Sequence, residues 1–313
     1  MLCWALLENN SVNSRNSRNG RNGDEQIKRM VVFGKSLVAG GFAGAVSRSV
    51  VSPLERLKII FQLHKDNAGI IPTLRKIYVE EGILGFFRGN GTNIIRIVPY
   101  SAVQFATYEA VKRFLIGDRR HWESSATVKL ASGALAGIAS VSVTYPLDLV
   151  RTRLSLPGDT PRSIADCLRQ VYLKEGGVVA LYRGLVPTVA GIAPYVALNF
   201  TTYETLKTFM ARGKPAGEEL PVYTRLACGG LAGAVAQTCT FPLDVVRRRM
   251  QVSRMQDSAM PHKGPWGLAV HMWRQEGWRA FYRGMFPNLL KVVPAISTSF
   301  VTFEWSKKLL NKV

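Results

Sequence analysis

The sequence predicts an all-α membrane protein: six transmembrane helices in three pseudo-symmetric repeats, each repeat with a short amphipathic helix on one membrane face. Three observations predict it. First, long stretches carry no charge at all: 18 residues from Leu130 to Leu147, 20 from Gly184 to Tyr203 and 18 from Leu226 to Leu243. At about 1.5 Å rise per helical residue each approaches the ~30 Å of a bilayer core. Second, one pattern of glycines, prolines and charges returns three times. Third, each copy holds a charged segment of helical period that is too short to span. Buried helices of a large soluble protein would account for the first observation alone.

Composition narrows the function classes. The 313 residues include 41 Lys and Arg against 21 Asp and Glu, a formal +20, with 47% apolar and 20% charged residues. That balance excludes a disordered chain. The positive excess by itself would suit nucleic acid, but the uncharged runs exclude a uniformly basic soluble protein. Cys3, Cys167, Cys228 and Cys239 form no CxxC pair, so neither structural zinc nor a disulfide framework is indicated, and a reducing compartment fits. His64, His121, His262 and His271 have no metal or triad spacing, and no nucleotide-binding glycine loop is present. An enzyme is not expected, nor a metal or cofactor.

Taken in order, residues 1–33 are expected to be a disordered segment, since Asn9 to Gly23 is rich in Asn, Ser, Arg and Gly without apolar period. Arg15, Arg18 and Arg21 hint at a transit peptide, but Glu8, Asp24 and Glu25 argue against one. The repeats then run over 34–118, 124–212 and 220–313. Each opens on a glycine pair (Gly40 and Gly44, Gly133 and Gly137, Gly229 and Gly233), a signal for close packing of these first helices. A proline follows within the helix (Pro53, Pro146, Pro242) and bends it by removing one hydrogen bond. An acid stands two residues after each proline (Glu55, Asp148, Asp244) and a base five after (Lys58, Arg151, Arg247).

A loop with a short amphipathic helix comes next, for example Ile71, Leu74, Ile77 and Tyr78 beside Arg75 and Lys76, or Ile164, Cys167, Leu168 and Val171 beside Arg169. Phe87-Arg88-Gly89, Tyr182-Arg183-Gly184 and Tyr282-Arg283-Gly284 then start the second long helices. These contain Pro99, Pro194 and Pro294 and end on Glu109 and Lys112, Glu204 and Lys207, and Glu304 and Lys307. Two spans per repeat put all three loops on one side.

The pattern Pro-x-[Asp/Glu]-x-x-[Lys/Arg]-x-[Lys/Arg], then [Asp/Glu]-Gly-x4-aromatic-[Lys/Arg]-Gly, repeated three times over about residues 34 to 311, resembles the mitochondrial carrier family. Two departures stand out. Ile60 replaces the second base in repeat one, and repeat two has an extra residue between Glu175 and Tyr182. The resemblance implies a multi-pass transporter of the mitochondrial inner membrane, functioning as a monomer, with no nucleic-acid partner. It implies a matrix gate pairing Glu55 with Arg151, Asp148 with Arg247 and Asp244 with Lys58, braced by Gln62 and Gln251, with Ser155 in the third place. It implies a cytoplasmic gate pairing Glu109 with Lys207, Glu204 with Lys307 and Glu304 with Lys112, braced by Tyr108 and Tyr203, with Phe303 lacking the hydroxyl. Each ring would form while the other opens, giving alternating access. Arg88, Gly89, Arg183, Gly184, Arg283 and Gly284 resemble the family's cardiolipin sites.

Features shared by all repeats serve a symmetric mechanism, so an asymmetric substrate is read where they differ. Seven residues after the Arg-Gly glycines stand Arg96, Gly191 and Lys291, and five before the first prolines stand Arg48, Val141 and Gln237. Arg48, Arg96 and Lys291 have no acid among them between the two rings, so their partner is expected to arrive from solution as a multiply charged anion, phosphate or sulfate. Lys129 and Arg225 lie nearer the outer entrance. Gly191, Ile192 and Tyr195 supply space, an apolar wall and an aromatic face.

That set resembles the adenine-nucleotide branch of the family, in which such a Gly-Ile pair contacts adenine and such bases bind phosphate. The run Arg247 to Val252 departs from the three Arg and three Met of the ADP/ATP carriers. Phe87 to Phe105 is most similar to carriers of adenosine phosphosulfates, of ATP-Mg and phosphate, and of coenzyme A. The sequence has no EF-hand loop, which argues against the calcium-regulated ATP-Mg form. Expected substrates are adenosine 5'-phosphosulfate, 3'-phosphoadenosine 5'-phosphosulfate and ADP, ATP or AMP. Coenzyme A or its nucleotide precursor is one alternative, and a membrane scaffold that merely keeps the fold is the other.

Overall fold

The computed structural model describes residues 22–63, 69–116, 126–158, 161, 163–212, 220–253 and 264–312. Every regular element among them is helical. Repeat one holds α1 (Asn22–Leu63), α2 (Ile70–Gly85), α3 (Asn90–Ile95) and α4 (Ile97–Ile116). Repeat two holds α5 (Ala126–Leu154), α6 (Ile164–Glu175), α7 (Val178–Leu181) and α8 (Leu185–Ala211). Repeat three holds α9 (Val222–Val252), α10 (Gly264–Glu276), a 3-10 turn (Trp278–Tyr282), α11 (Met285–Leu290) and α12 (Val292–Lys312). Among the described residues three stretches, Leu130–Leu154, Val178–Ala211 and Tyr223–Val252, are long and apolar enough to cross a membrane.

Residues 22–33, expected to be disordered, instead form the first turns of α1. The sequence gives a reason: Asp24 and Glu25 fall in the first turn, each four residues before Lys28 or Arg29, a spacing that supports a helix. The rest of the expected disordered segment lies outside the described residues.

The long helices close into a circle. α4 packs along α5, α8 along α9 and α12 along α1, so the last helix of each repeat lies against the first helix of the next. The glycine pairs act mainly within repeats. Gly44 faces Ile97, Gly133 faces Val196 and Gly137 faces Ile192, all on the second long helix of the same repeat, whereas Gly233 faces Asn199 of repeat two; Gly230, beside the third pair, faces Ile296 of its own repeat. Close packing of the first helices upon one another is therefore not what most of these glycines provide. They let each first helix approach its own partner. Pro53, Pro146 and Pro242 lie inside α1, α5 and α9, and the second long helices of repeats one and three break at Arg96 and Lys291, three residues before Pro99 and Pro294.

Each first helix also shares a small core with its own amphipathic helix: Leu57 and Ile60 with Ile77, Leu149 and Val150 with Cys167 and Val171, Val245 and Val246 with Leu268 and Met272. Ile71 and Tyr78, placed on the apolar face of α2 by periodicity, are exposed. The extra residue of repeat two is absorbed locally. Gly82, Gly177 and Gly277 share one conformation (φ 68, 70 and 71°) open in practice only to glycine, and Gly176 is the insertion, a left-handed cap on α6.

Candidate functional site

Beyond the prolines α1, α5 and α9 converge, and acids and bases of successive repeats meet. Lys58 Nζ lies 2.6 Å from Asp244, Arg151 pairs with Glu55, and Arg247 pairs with Asp148. Gln62 Nε2 donates to Asp244 Oδ2 at 3.2 Å and Gln251 Nε2 to Asp148 Oδ2 at 2.9 Å. Ser155, in the equivalent place, donates to the Arg151 carbonyl instead. One residue further on, Leu63, Leu156 and Val252 join Ile59 in a buried apolar cluster contributed by all three repeats. The end is thus closed by a polar layer with hydrocarbon beneath it.

The three corners are unequal. Arg96 Nη1 donates to Asp148 Oδ1 at 2.6 Å, and Lys291 Nζ donates to Glu55 Oε1 at 3.2 Å. This corrects the expectation that these bases lack a carboxylate. Both sit where their helices break, and their long side chains reach the ring acid of the next repeat, because a buried base without a partner is costly. Gly191 occupies the third such place, so Asp244 receives no equivalent base. Asp148 also accepts from Arg248, which spans Thr152 and Gln251 from a position held by Ile59 and Thr152 in the other repeats. Arg48 Nη1 donates to Asn93 Oδ1 at 2.6 Å and lies within electrostatic reach of Glu55 and Arg96. Seven bases (Arg48, Lys58, Arg96, Arg151, Arg247, Arg248, Lys291) therefore surround three carboxylates.

A second set of contacts joins the repeats just outside this ring. Arg56 Nε donates to the Ser155 carbonyl (3.0 Å), Arg153 Nε to the Gln251 carbonyl (3.2 Å) and Arg249 Nε to the Gln62 carbonyl (3.1 Å). The same guanidinium groups pair with Glu81, Glu175 and Glu276 of their own repeats. Arg88, Arg183 and Arg283 complete these clusters on the same glutamates. Burial pushes the Glu81 carboxyl up, but its hydrogen bonds and charge contacts with Arg56 and Arg88 outweigh this and hold it below the usual carboxylate range. The acid of each Glu-Gly pair was visible in the repeat pattern, as were all of these arginines but Arg56; their pairing was not.

Gly89, Gly184 and Gly284 are left-handed (φ 80, 88 and 82°), and a Cβ there would meet the Arg151 carbonyl oxygen at 3.0 Å, that of Arg247 at 3.1 Å and that of Lys58 at 2.8 Å. Each glycine lets the next repeat approach. The three arginines named for lipid are thus engaged with glutamates, and the three glycines with neighbouring backbone.

At the other end the expected partners Glu109 and Lys207 do not come within ion-pair distance, and Lys207 Nζ lies 6.0 Å from the Tyr203 ring centre. Tyr108 and Glu204 lie on the same turns, and Lys112 has a contact of its own. The side chains of Lys129, Phe303, Glu304 and Lys307 lie outside the described residues. Around the remaining candidates, Ile192 packs on Gly137, the space beside Gly191 is bounded by Leu243 at 3.7 Å, and Tyr195 is partly buried one turn further along α8. The Arg96 guanidinium stands 5.6 Å from the Tyr100 ring centre.

The family model described as mitochondrial carrier protein matches the chain three times, over residues 30–119, 123–214 and 218–313. The mitochondrial adenine nucleotide transporter ADNT1 of Arabidopsis thaliana is 42% identical over 307 residues, covering 88% of this chain and 87% of its own length. The mitochondrial carrier protein CoAc2 of Zea mays is 38% identical over 295 residues, covering 88% and 87%. The calcium-dependent mitochondrial ATP-magnesium/phosphate carrier protein 3 of Arabidopsis thaliana is 38% identical over 286 residues, covering 90% of this chain and 58% of its own.

Proposed function

The chain belongs to the mitochondrial carrier family, multi-pass proteins of the mitochondrial inner membrane, and from that premise we propose that it exchanges adenine-containing anions by alternating access. The observation that carries this reading is the excess of bases over carboxylates at the ring, with Arg48, Arg96 and Lys291 on its inner side. Positive charge held inside a helical bundle suits a polyanion, and arginine suits phosphate or sulfate. Identity of 42% to a protein named as an adenine nucleotide transporter supports the adenine part.

On this reading all six long helices span the membrane, and the α1, α5 and α9 ring is the matrix gate. Arg96 and Lys291 then have two roles. In the closed ring they hold Asp148 and Glu55; an arriving phosphate or sulfate competes for the same donors and loosens two of the three corners. Gly191, Ile192 and Tyr195 form the adenine side, at the corner without an extra base. Glu109, Lys112, Glu204, Lys207, Glu304 and Lys307 close the other end when the matrix gate opens. The preferred substrates are adenosine phosphosulfates and adenine nucleotides. The 38% identity to a protein named CoAc2 makes coenzyme A the second reading.

Counter-exchange by the purified protein in liposomes preloaded with one anion at a time tests this. Exchange of adenine compounds is expected; their uniform failure beside efficient exchange of a carboxylate would overturn the substrate class. Cardiolipin is the expected bound lipid, resting on the helix starts at Gly89, Gly184 and Gly284. It should raise thermal stability in detergent, and an unchanged melting temperature would remove it.

A further inference from the structure

Ile60 stands where the other repeats have an arginine, five residues after the ring acid (Arg153, Arg249). Read by position, repeat one has lost a base. The contacts read differently. Arg153 and Arg249 each send Nε to a backbone carbonyl of the following repeat and the rest of the guanidinium to a glutamate of their own. Arg56, one residue after Glu55, repeats the two linking contacts, Nε to Ser155 and Nη2 to Glu81 at 2.7 Å, and sends Nη1 to the Gly85 carbonyl instead of to the glutamate. The three acceptors, Ser155, Gln251 and Gln62, are all seven residues beyond a ring acid. Arg56 and Arg153 are each 1% exposed, so neither is a surface charge.

We propose that Arg56 is the positioning residue of the junction between repeats one and two, doing from one turn earlier what Arg153 and Arg249 do at the other junctions. Positions 56 and 60 share a helix face, about 6 Å apart along the axis, a separation that an arginine side chain spans. The move also frees Ile60 for the apolar contact with Leu57 and Ile77. This junction has the greatest need of a link, because Ser155 there makes no contact with a ring carboxylate where Gln62 and Gln251 do. Holding the Ser155 end of α5 against repeat one keeps Arg151 beside Glu55. The gate role rests on the function proposed above; the link between repeats does not.

The test is relocation of the arginine in the full chain. Arg56→Leu should lower the melting temperature in detergent and slow ATP exchange in liposomes, and adding Ile60→Arg should restore at least half of both losses. Ile60→Arg alone should restore nothing to add and leave both measures at or below those of the parent. Arg56→Lys, which keeps the charge but loses the fork, should behave like Arg56→Leu; parent-like behaviour would overturn the forked contact. If Arg56→Leu yields no folded protein, recovery of yield by the double variant is the readout. A double variant no better than Arg56→Leu overturns the proposal. Recovered stability without recovered exchange overturns the gate role and leaves a structural link. Absence of ATP exchange by the parent counts against the proposed function, while the melting temperatures still decide the link.

Discussion

Gly284→Ala is expected to separate repeats three and one. The left-handed conformation at φ 82° costs an L residue roughly 1–2 kcal/mol. Gly176, at φ 115° with nothing within 4 Å of an added Cβ, is the reference, because Gly176→Ala carries the conformational cost without contact. At Gly284 the new Cβ would stand 2.8 Å from the Lys58 carbonyl oxygen and 3.2 Å from Gln62 Cγ. The glutamine can rotate, but the carbonyl is backbone of α1, so the helices must part. Overpacking of this kind costs about 1–3 kcal/mol. Gly284→Ala should therefore lose roughly 2–5 kcal/mol in total. The excess over Gly176→Ala corresponds to a melting temperature lower by roughly 2–10 °C. Thermal unfolding of both variants in one detergent measures it. Equal shifts would refute the steric reasoning and leave only backbone conformation.

Three further outcomes are expected. Asp148→Asn should destabilise more than Asp244→Asn, because it strips the carboxylate from Arg96, Arg247 and Arg248 whereas Asp244 serves Lys58 and Gln62; breaking a buried pair costs about 3–5 kcal/mol, and equal melting temperatures would reject the ranking. Gly191→Val presses on Leu243 and fills the proposed adenine space, so ligand-induced thermal shifts should fall more for ATP than for pyrophosphate; a proportional fall would remove Gly191 from the adenine site. The Glu81 carboxyl is held below its ordinary 4.5, so its charged form stabilises the fold, fully above that pH and decreasingly as pH falls through the lower folded value. Melting temperature should then drop more steeply with acid in the parent than in Glu81→Gln, and parallel curves would exclude this carboxylate as a source of acid sensitivity.

Much of the helical order was legible because one spacing occurs three times: Pro99 and Pro294 stand three residues past the breaks at Arg96 and Lys291, and the charged intervals marked the short helices. Which ring acid meets which ring base came from family resemblance, since spacing alone permits more than one ring. The second partners were hidden. Arg96 and Asp148 are 52 residues apart, and Lys291 and Glu55 are 236 apart. Neither pair belongs to a repeated feature, so the asymmetry that suggested a waiting anion also concealed the acids already there. Glycine pairs announce close approach without naming the partner, which is why Gly137 against Ile192 and Gly191 against Leu243 emerged only from packing. Arg56 was concealed because the pattern tracks positions, whereas a carbonyl oxygen selects where a guanidinium arrives.

That last point bears on how copies of a duplicated segment diverge. When two sites on one helix face can serve a single acceptor, a chain that gains the second can discard the first without ever losing the contact. Repeat one, with Arg56 present and isoleucine at 60, is what such a path leaves behind. Between descendants of one ancestral segment, a residue missing from an alignment column is then evidence of lost chemistry only after its neighbours one turn away have been counted.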